Sequence, residues 1–313
     1  MWLTPQKQLL LAVISSVLYS FTQFKVNSVV KEEELGKKLF FDKILSLDKS
    51  ISCASCHNPN LAFADSVAFS TGVNGTLGKR NVPSVMNVSM RPYLFWDGRA
   101  SSLENQSWFP IQDANEMNLS KKQAIARLRA SSTYIQLFKQ VYATPPNAKN
   151  IAQALAAYER TLESIGAPFD AYMRGDTTAI PPQAKRGHVV FMGKGKCFDC
   201  HFSPDFTGDE FKNIGLYNAT TLTDKGRYTI TRHTTDIGKF KVPGLRNVAL
   251  TAPYMHNGMF ANLRDVVNYY NNPTQVVSNA IGTDAALATP LQLTPQECED
   301  LVAFLQSLSD YKK

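Results

Sequence analysis

The sequence predicts a mostly α fold with long loops, built as two halves related by duplication. Three observations predict it. Cys53-Ala-Ser-Cys56-His57 and Cys197-Phe-Asp-Cys200-His201 share one C-x-x-C-H spacing. A second pattern repeats downstream of each, VPSVMNV at 82–88 and VPGLRNV at 242–248. Apolar residues recur at helical spacing near both ends of each half, and no stretch sustains the alternation of a strand.

The repeated motif defines the chemistry. Two thiols three positions apart can each form a thioether with a vinyl group of a porphyrin. The histidine that follows then places an imidazole on the iron. A zinc site would need both thiolate pairs close together in a closed tetrahedron. Here the pairs are far apart in the chain and each has its own histidine. Two covalently bound haem c groups are expected, held by Cys53, Cys56 and His57 and by Cys197, Cys200 and His201. The halves are therefore read as two cytochrome c-like haem domains. Cys298 is left over, so there is no disulfide framework, and its helical context suits a small buried residue.

Along the chain, Lys7 precedes an uncharged run from Gln8 to Phe24 with the apolar centre LLLAVISSVLYSF. It has the form of a signal h-region and is short for a membrane span, while no convincing A-x-A cleavage site follows. Residues 1–30 are thus read as a signal peptide or an N-terminal anchor, which places the protein in the periplasm. EEELGKKLFFD (32–42) and PQAKRGHVVFM (182–192) predict a helix before each haem motif. KNIAQALAAYERTLESIG puts Ile151, Ala154, Leu155, Tyr158, Leu162 and Ile165 on one face. TPQECEDLVAFLQSLSD starts from Thr294 as N-cap with Glu297 at the capping-box position. GAPFDAYMRGDTTAIPP (166–182) has the Gly and Pro content of a linker, giving an N-terminal haem domain at 31–168 and a C-terminal one at 169–313. The second half carries an insertion around 206–236. In the repeated element, Pro92-Tyr93-Leu94-Phe95-Trp96-Asp97-Gly98 aligns with Pro253-Tyr254-Met255-His256-Asn257-Gly258 after a one-residue adjustment, and Trp96 falls opposite His256.

At 313 residues, with 44% hydrophobic and 19% charged residues, the chain is long enough for two folded domains. The formal charge of +7 omits the propionates of two haems, and no basic cluster points to nucleic acid. Lys185, Lys194 and Lys196 gather before the second motif and are read as a solvated face rather than a docking patch.

The sixth ligand of each iron decides between electron transfer and peroxide chemistry. No histidine lies between His57 and His188, and Met86 and Met90 sit beside the Val-Pro element, where apolar packing is expected. The N-terminal iron is therefore read as open. The window FWDGRASSLENQSWFPIQDANEM holds Trp96, Arg99, Gln106, Pro110 and Glu116. Cleaving an O–O bond needs a group that takes a proton from one oxygen and returns it to the other. Glu116 is the candidate, with Gln106 as an orienting amide, although the residues alone do not choose Glu116 over Glu104. His188 and His233 are read as structural or surface residues.

From about residue 31 onward the chain resembles the bacterial di-haem cytochrome c peroxidase and MauG superfamily. The resemblance rests on the two C-x-x-C-H motifs, Arg80-Asn81-Val82-Pro83, FWDGRA, Gln106, Pro110, Glu116-Met117 and FKVPGLRNVALTAPYMHNG. It implies a peroxidatic haem on His57, with Glu116 as the acid–base glutamate and Gln106 as the pocket glutamine. Trp96 matches the tryptophan between the haems. Asn81, Thr251 and Pro253 match residues that hold a calcium ion, a hard cation suited to amide and carbonyl oxygens. Many peroxidases of the family carry a capping histidine soon after the first motif, but LAFADSVAFSTGVNG has none, which implies an iron open without reductive activation. Where typical peroxidases place a distal methionine on the C-terminal haem, this chain has Tyr270, as MauG has tyrosine; Met255 and Met259 are the rival ligands. A phenolate stabilises ferric iron and lowers its potential.

The leading expectation is reduction of hydrogen peroxide to water with electrons from a small cytochrome c or cupredoxin. A MauG-like enzyme, which forms a bis-ferryl state and oxidises a partner protein, is the second. A plain electron-transfer cytochrome with both irons six-coordinate is the third. A homodimer is the assembly to test.

Overall fold

A computed structural model describes residues 30–310. The run read as a signal or anchor lies outside them. Among the described residues no helix is long and apolar enough to cross a membrane.

The N-terminal half begins with α1 (Glu32–Phe41), and its first haem cysteines form the single turn α2 (Cys53–Cys56). After a long irregular stretch come α3 (Leu103–Gln106), α4 (Trp108–Gln112), α5 (Lys121–Ala130), α6 (Ser132–Tyr142) and the closing α7 (Ala148–Glu159). The C-terminal half holds α8 (Pro168–Met173), α9 (Pro182–Met192), α10 (Tyr228–Thr231), α11 (Leu263–Asn271) and α12 (Pro295–Gln306). The only named strands among the described residues are β1 (Phe211–Lys212) and β2 (Phe240–Lys241), an antiparallel pair with Phe211 opposite Lys241.

Local chemistry starts the helices where expected. The Thr294 hydroxyl accepts from the Glu297 amide and the Glu297 carboxylate accepts from the Thr294 amide, a reciprocal cap on α12. Asn147 caps α7 by accepting from Lys149 and Asn150. Three glutamates, Glu32 to Glu34, fill the first turn of α1, where the helix dipole favours negative charge.

In each half the helix before the haem motif crosses the closing helix through a glycine. A Cβ on Gly36 would lie 1.8 Å from the Ala154 carbonyl oxygen, and one on Gly187 would lie 1.8 Å from that of Asp300. Tyr158 and Phe304 occupy corresponding places under these glycines and pack edge-on or tilted against Phe40 and Phe191. Leu35, Leu39, Phe40, Ile151 and Leu155 form one core, and Val190, Phe191, Leu301, Phe304 and Leu308 belong to another.

Three local expectations are corrected. The periodicity ran through Ile165, but α7 ends at Glu159 and Ile165 is 69% exposed. The amides of Thr161 and Leu162 turn back onto Tyr158 and Glu159, and the Asn87 side chain holds Ser164 by two hydrogen bonds. The Gly/Pro-rich segment contains α8, started by Pro168 at its first position, and Phe169 enters the C-terminal core. Met90 does not pack; it is 86% exposed.

Candidate functional site

Each motif histidine is oriented as a ligand must be. His57 Nδ1 lies 3.1 Å from the Phe63 carbonyl oxygen and His201 Nδ1 lies 2.9 Å from that of Phe206. A ring that donates from Nδ1 to a carbonyl presents a bare Nε2 to iron. Burial lowers the His57 pKa and takes that of His201 to about 4, so both rings are neutral at neutral pH. Burial also pushes the Cys56 thiol up to about 11 and Cys197 up to about 12, which disfavours the thiolates that a metal–thiolate site needs. Among the described residues no group of three or more His, Cys, Asp or Glu side chains converges as a metal site, so the zinc alternative finds no donor set. The residues present fit covalent haem in both halves.

In the C-terminal half, Cys197, Cys200 and His201 line a cavity of about 280 Å³. Tyr270, on α11, lines the same cavity, as does Met255. Burial, reinforced by Tyr269, Cys197 and Cys200, raises the Tyr270 pKa, and one cavity wall carries Tyr270 together with both haem cysteines. The adjacent Tyr269 is engaged elsewhere and donates to the Ile214 carbonyl. Met259 is part-exposed and accepts from the Asn257 amide. Position therefore favours Tyr270 and leaves Met255 as the rival.

The N-terminal counterpart of α11 is broken into α3 and α4. The register is secure: Leu94 bridges Ala100 as Tyr254 bridges Phe260, and Ser102 and Asn262 cap the helices that follow. In this register Pro110 takes the place of Tyr270. Proline offers no side-chain ligand. Met117 is buried in the N-terminal core with its carbonyl accepting from Leu47, and Met86 packs on the same core. His188 lies on α9, stacked on Phe304 and edge-on to Phe169, and His233 is exposed.

Glu116 follows α4 in a turn that the chain grips from two sides. Its carbonyl accepts from Val73, and a Cβ on Gly72 would meet the Asn115 carbonyl oxygen at 2.0 Å. Its negative charge acts weakly at both Cys53 and Cys56, so the carboxyl lies in the same region as the first haem motif. Burial, then Asp113, raises its pKa, while Arg99 acts against them. Glu104 differs, since Arg160 holds it in an ion pair at 2.6 Å and keeps its pKa low despite partial burial. Gln106 ends α3, half-buried, with no side-chain hydrogen bond among the described residues.

Trp96 joins the halves. Its Nε1 donates to the Asn81 carbonyl at 2.8 Å, and its ring meets His256 edge-on at 6.5 Å. The Asn81 amide donates to the His256 carbonyl, and the Lys241 amide donates to that of Trp96, each at 2.7 Å. Asn81 corresponds to Lys241 and Trp96 to His256, so this contact is its own mirror under the duplication. The insertion at 206–236 closes over it: Asp224 takes two bonds from Arg80, which also pairs with Asp97, and Arg227 donates to the carbonyls of Asp97 and Gly98. Sequence reading missed this clamp, because its partners lie far apart in the chain. Asn81, Thr251 and Pro253 all line the cavity that reaches Trp96 and His201. The Asn81 amide nitrogen is spent on the Val67 carbonyl, leaving its oxygen as a cation donor.

Comparison with known proteins agrees with this geometry. The model of the di-haem cytochrome c peroxidase family matches residues 30–178, and the cytochrome c model matches 184–309. The methylamine utilization protein MauG of Methylorubrum extorquens is 37% identical over 91% of this chain and 80% of its own. The cytochrome c551 peroxidase of Pseudomonas aeruginosa is 38% identical over 89% of this chain and 79% of its own. Among solved structures, a MauG-like protein associated with microbial copper homeostasis superposes with a TM-score of 0.80 at 32% identity, covering 89% of both chains. The diheme peroxidase BthA of Burkholderia thailandensis gives 0.79 at 26% identity, covering 89% of this chain and 86% of its own. With two haem motifs in duplicated helical halves, this chain belongs to the di-haem cytochrome c peroxidase and MauG family of oxidoreductases.

Proposed function

We propose that the protein reduces hydrogen peroxide to water at the N-terminal haem of His57, using electrons that enter at the C-terminal haem of His201. The observation that carries this reading is the unequal pair Pro110 and Tyr270, which leaves one site without a side-chain distal ligand and gives the other a phenol. Bound haem supplies the redox-active iron in each half, and the remaining tasks fall to side chains. Glu116, as carboxylate, takes a proton from one peroxide oxygen and returns it to the other as the bond between them breaks. Its raised pKa brings it nearer to neutrality, where a proton shuttle works best. Gln106 orients peroxide or water. Trp96 carries electrons across the junction that it shares with His256. Glu116→Gln is expected to slow the reaction with peroxide by about 10²–10⁴-fold with haem content unchanged; full activity would remove Glu116 from the mechanism.

A MauG-like oxidation of a partner protein is the second reading, favoured by Tyr270 and by the absence of a histidine after the first motif. Steady turnover with peroxide and a reduced small cytochrome c, without prior reduction of the enzyme, supports the first reading. Slow turnover with peroxide-dependent oxidation of a protein substrate supports the second.

The same reading includes a periplasmic location reached by a signal peptide or anchor in residues 1–30, haem domains at 31–168 and 169–313, a cytochrome c or cupredoxin donor, and a homodimer. It also includes one calcium ion held by Asn81, Thr251 and Pro253. This donor set is neutral, so water would complete the shell and binding would be modest. A calorimetric titration of the chelator-treated protein that gave no heat with Ca²⁺ would remove the ion.

A further inference from the structure

Glu159 is the last residue of α7, and its side chain stands out in the N-terminal half. The residue is 6% exposed, yet its carboxyl makes no hydrogen bond or ion pair among the described residues. The neighbouring Arg160 is committed to Glu104 instead. Its oxygens are not among the fully enclosed side-chain atoms that lack a partner, so they open onto space beside α7, where an acid with no counter-ion tends to hold its proton.

The duplication says what it faces. Gly36 meets Ala154 and Tyr158 as Gly187 meets Asp300 and Phe304, and the Asn87 and Asn247 amides donate to the carbonyls of Leu162 and Leu308. Both contacts set the same register, in which Glu159 corresponds to Leu305. Leu305 lines the haem cavity of the C-terminal half. Glu159 therefore occupies a haem-lining place in its own half, near enough to the haem cysteine Cys53 for its charge to act there. One half has a leucine there, and the other has an acid.

We propose that Glu159 is the proton-holding group of the N-terminal haem site, taking up one proton when the haem beside it gains an electron and releasing it when that electron leaves. The proposal rests on the two-haem reading of the chain. In the uptake step an electron from the redox donor reduces ferric to ferrous iron, a proton from solvent bonds to the Glu159 carboxylate, and the net charge of the site is unchanged. Reduction of peroxide consumes two electrons and two protons to give two waters. Glu116 only moves a proton between the two oxygens, so the net protons must come from other groups or from solvent.

The charges around Glu159 suit this role. The face of α1 toward α7 is apolar (Leu35, Gly36, Leu39, Phe40). From α3 comes Glu104, from the haem motif Cys53, and from α7's own end Arg160. Burial, opposed by Arg160 and reinforced by Glu104, pushes the Glu159 pKa up to about 8, close enough to neutrality to follow the charge of the iron.

The test is a potentiometric titration of each haem against pH in the haem-loaded protein, without peroxide or donor protein, so its outcome is independent of the peroxidase reading. The N-terminal potential should fall as pH rises through the neutral range, at up to about 59 mV per unit for one proton per electron. Glu159→Gln and Glu159→Leu, the residue of the sister half, should flatten that slope and leave the C-terminal haem unchanged; Glu159→Asp should keep it. A wild-type slope in either haem-loaded neutral variant would overturn the proposal. Infrared difference spectra of the wild-type protein give a second measure that needs no variant. Reduction of the N-terminal haem should change a protonated-carboxyl signal, and absence of that signal would also overturn it.

Discussion

Glu116 and Glu104 belong to one short window of sequence, yet their surroundings give them opposite character. Glu104 is tied to Arg160 near the surface, whereas Glu116 is buried beside Asp113 with no counter-ion bound to it. A base is active only as carboxylate, so the acid limb of kcat/KM should lie above the ordinary carboxylate value of 4.5. Asp113→Asn removes one upward push while an amide oxygen can still accept from the Asn115 amide. It should shift the acid limb to lower pH, which a pH–rate profile checks; a shift to higher pH would contradict the assignment. Residue types put Glu116 in a short window of candidates; the family pattern chose it over Glu104 and alone pointed to Tyr270. They did not reveal Pro110 as the counterpart of Tyr270, because that match depends on the helix after Ser102 breaking at α3 and α4. Nor did they mark Glu159, whose isolation follows from what Arg160 does instead.

At the level of elements, the helices before and after each haem motif were legible because an apolar face and a cap are local properties. The crossing of α1 with α7 was not, since it depends on a glycine meeting a carbonyl over a hundred residues away. Gly36→Ala should cost about 1–3 kcal/mol through overpacking, seen as a lower Tm of the haem-loaded protein. An unchanged Tm would mean that these helices do not touch as described. The insertion was legible only as extra length. Its function comes from Asp224 and Arg227, which reach back to Arg80, Asp97 and Gly98 and fix the turn carrying Trp96. Arg227 also lies 4.3 Å from the Phe211 ring centroid, so β1 of the insertion packs into the same clamp.

Across the whole molecule, duplication supplied two equivalent haem sites and substitution made them unequal. Pro110 opposes Tyr270, Glu159 opposes Leu305, and Trp96 meets its own counterpart His256 at the junction. Replacing Tyr270 by Met should raise the potential of the C-terminal haem and alter its low-spin spectrum, because a thioether favours ferrous iron where a phenolate favours ferric. An unchanged spectrum and potential would assign the distal place to another group, with Met255 the next residue on the cavity wall. The most direct test of this asymmetry is the EPR spectrum of the fully oxidised protein. One high-spin ferric haem and one low-spin ferric haem in equal amounts are expected. Two low-spin haems, with no high-spin signal, would contradict it.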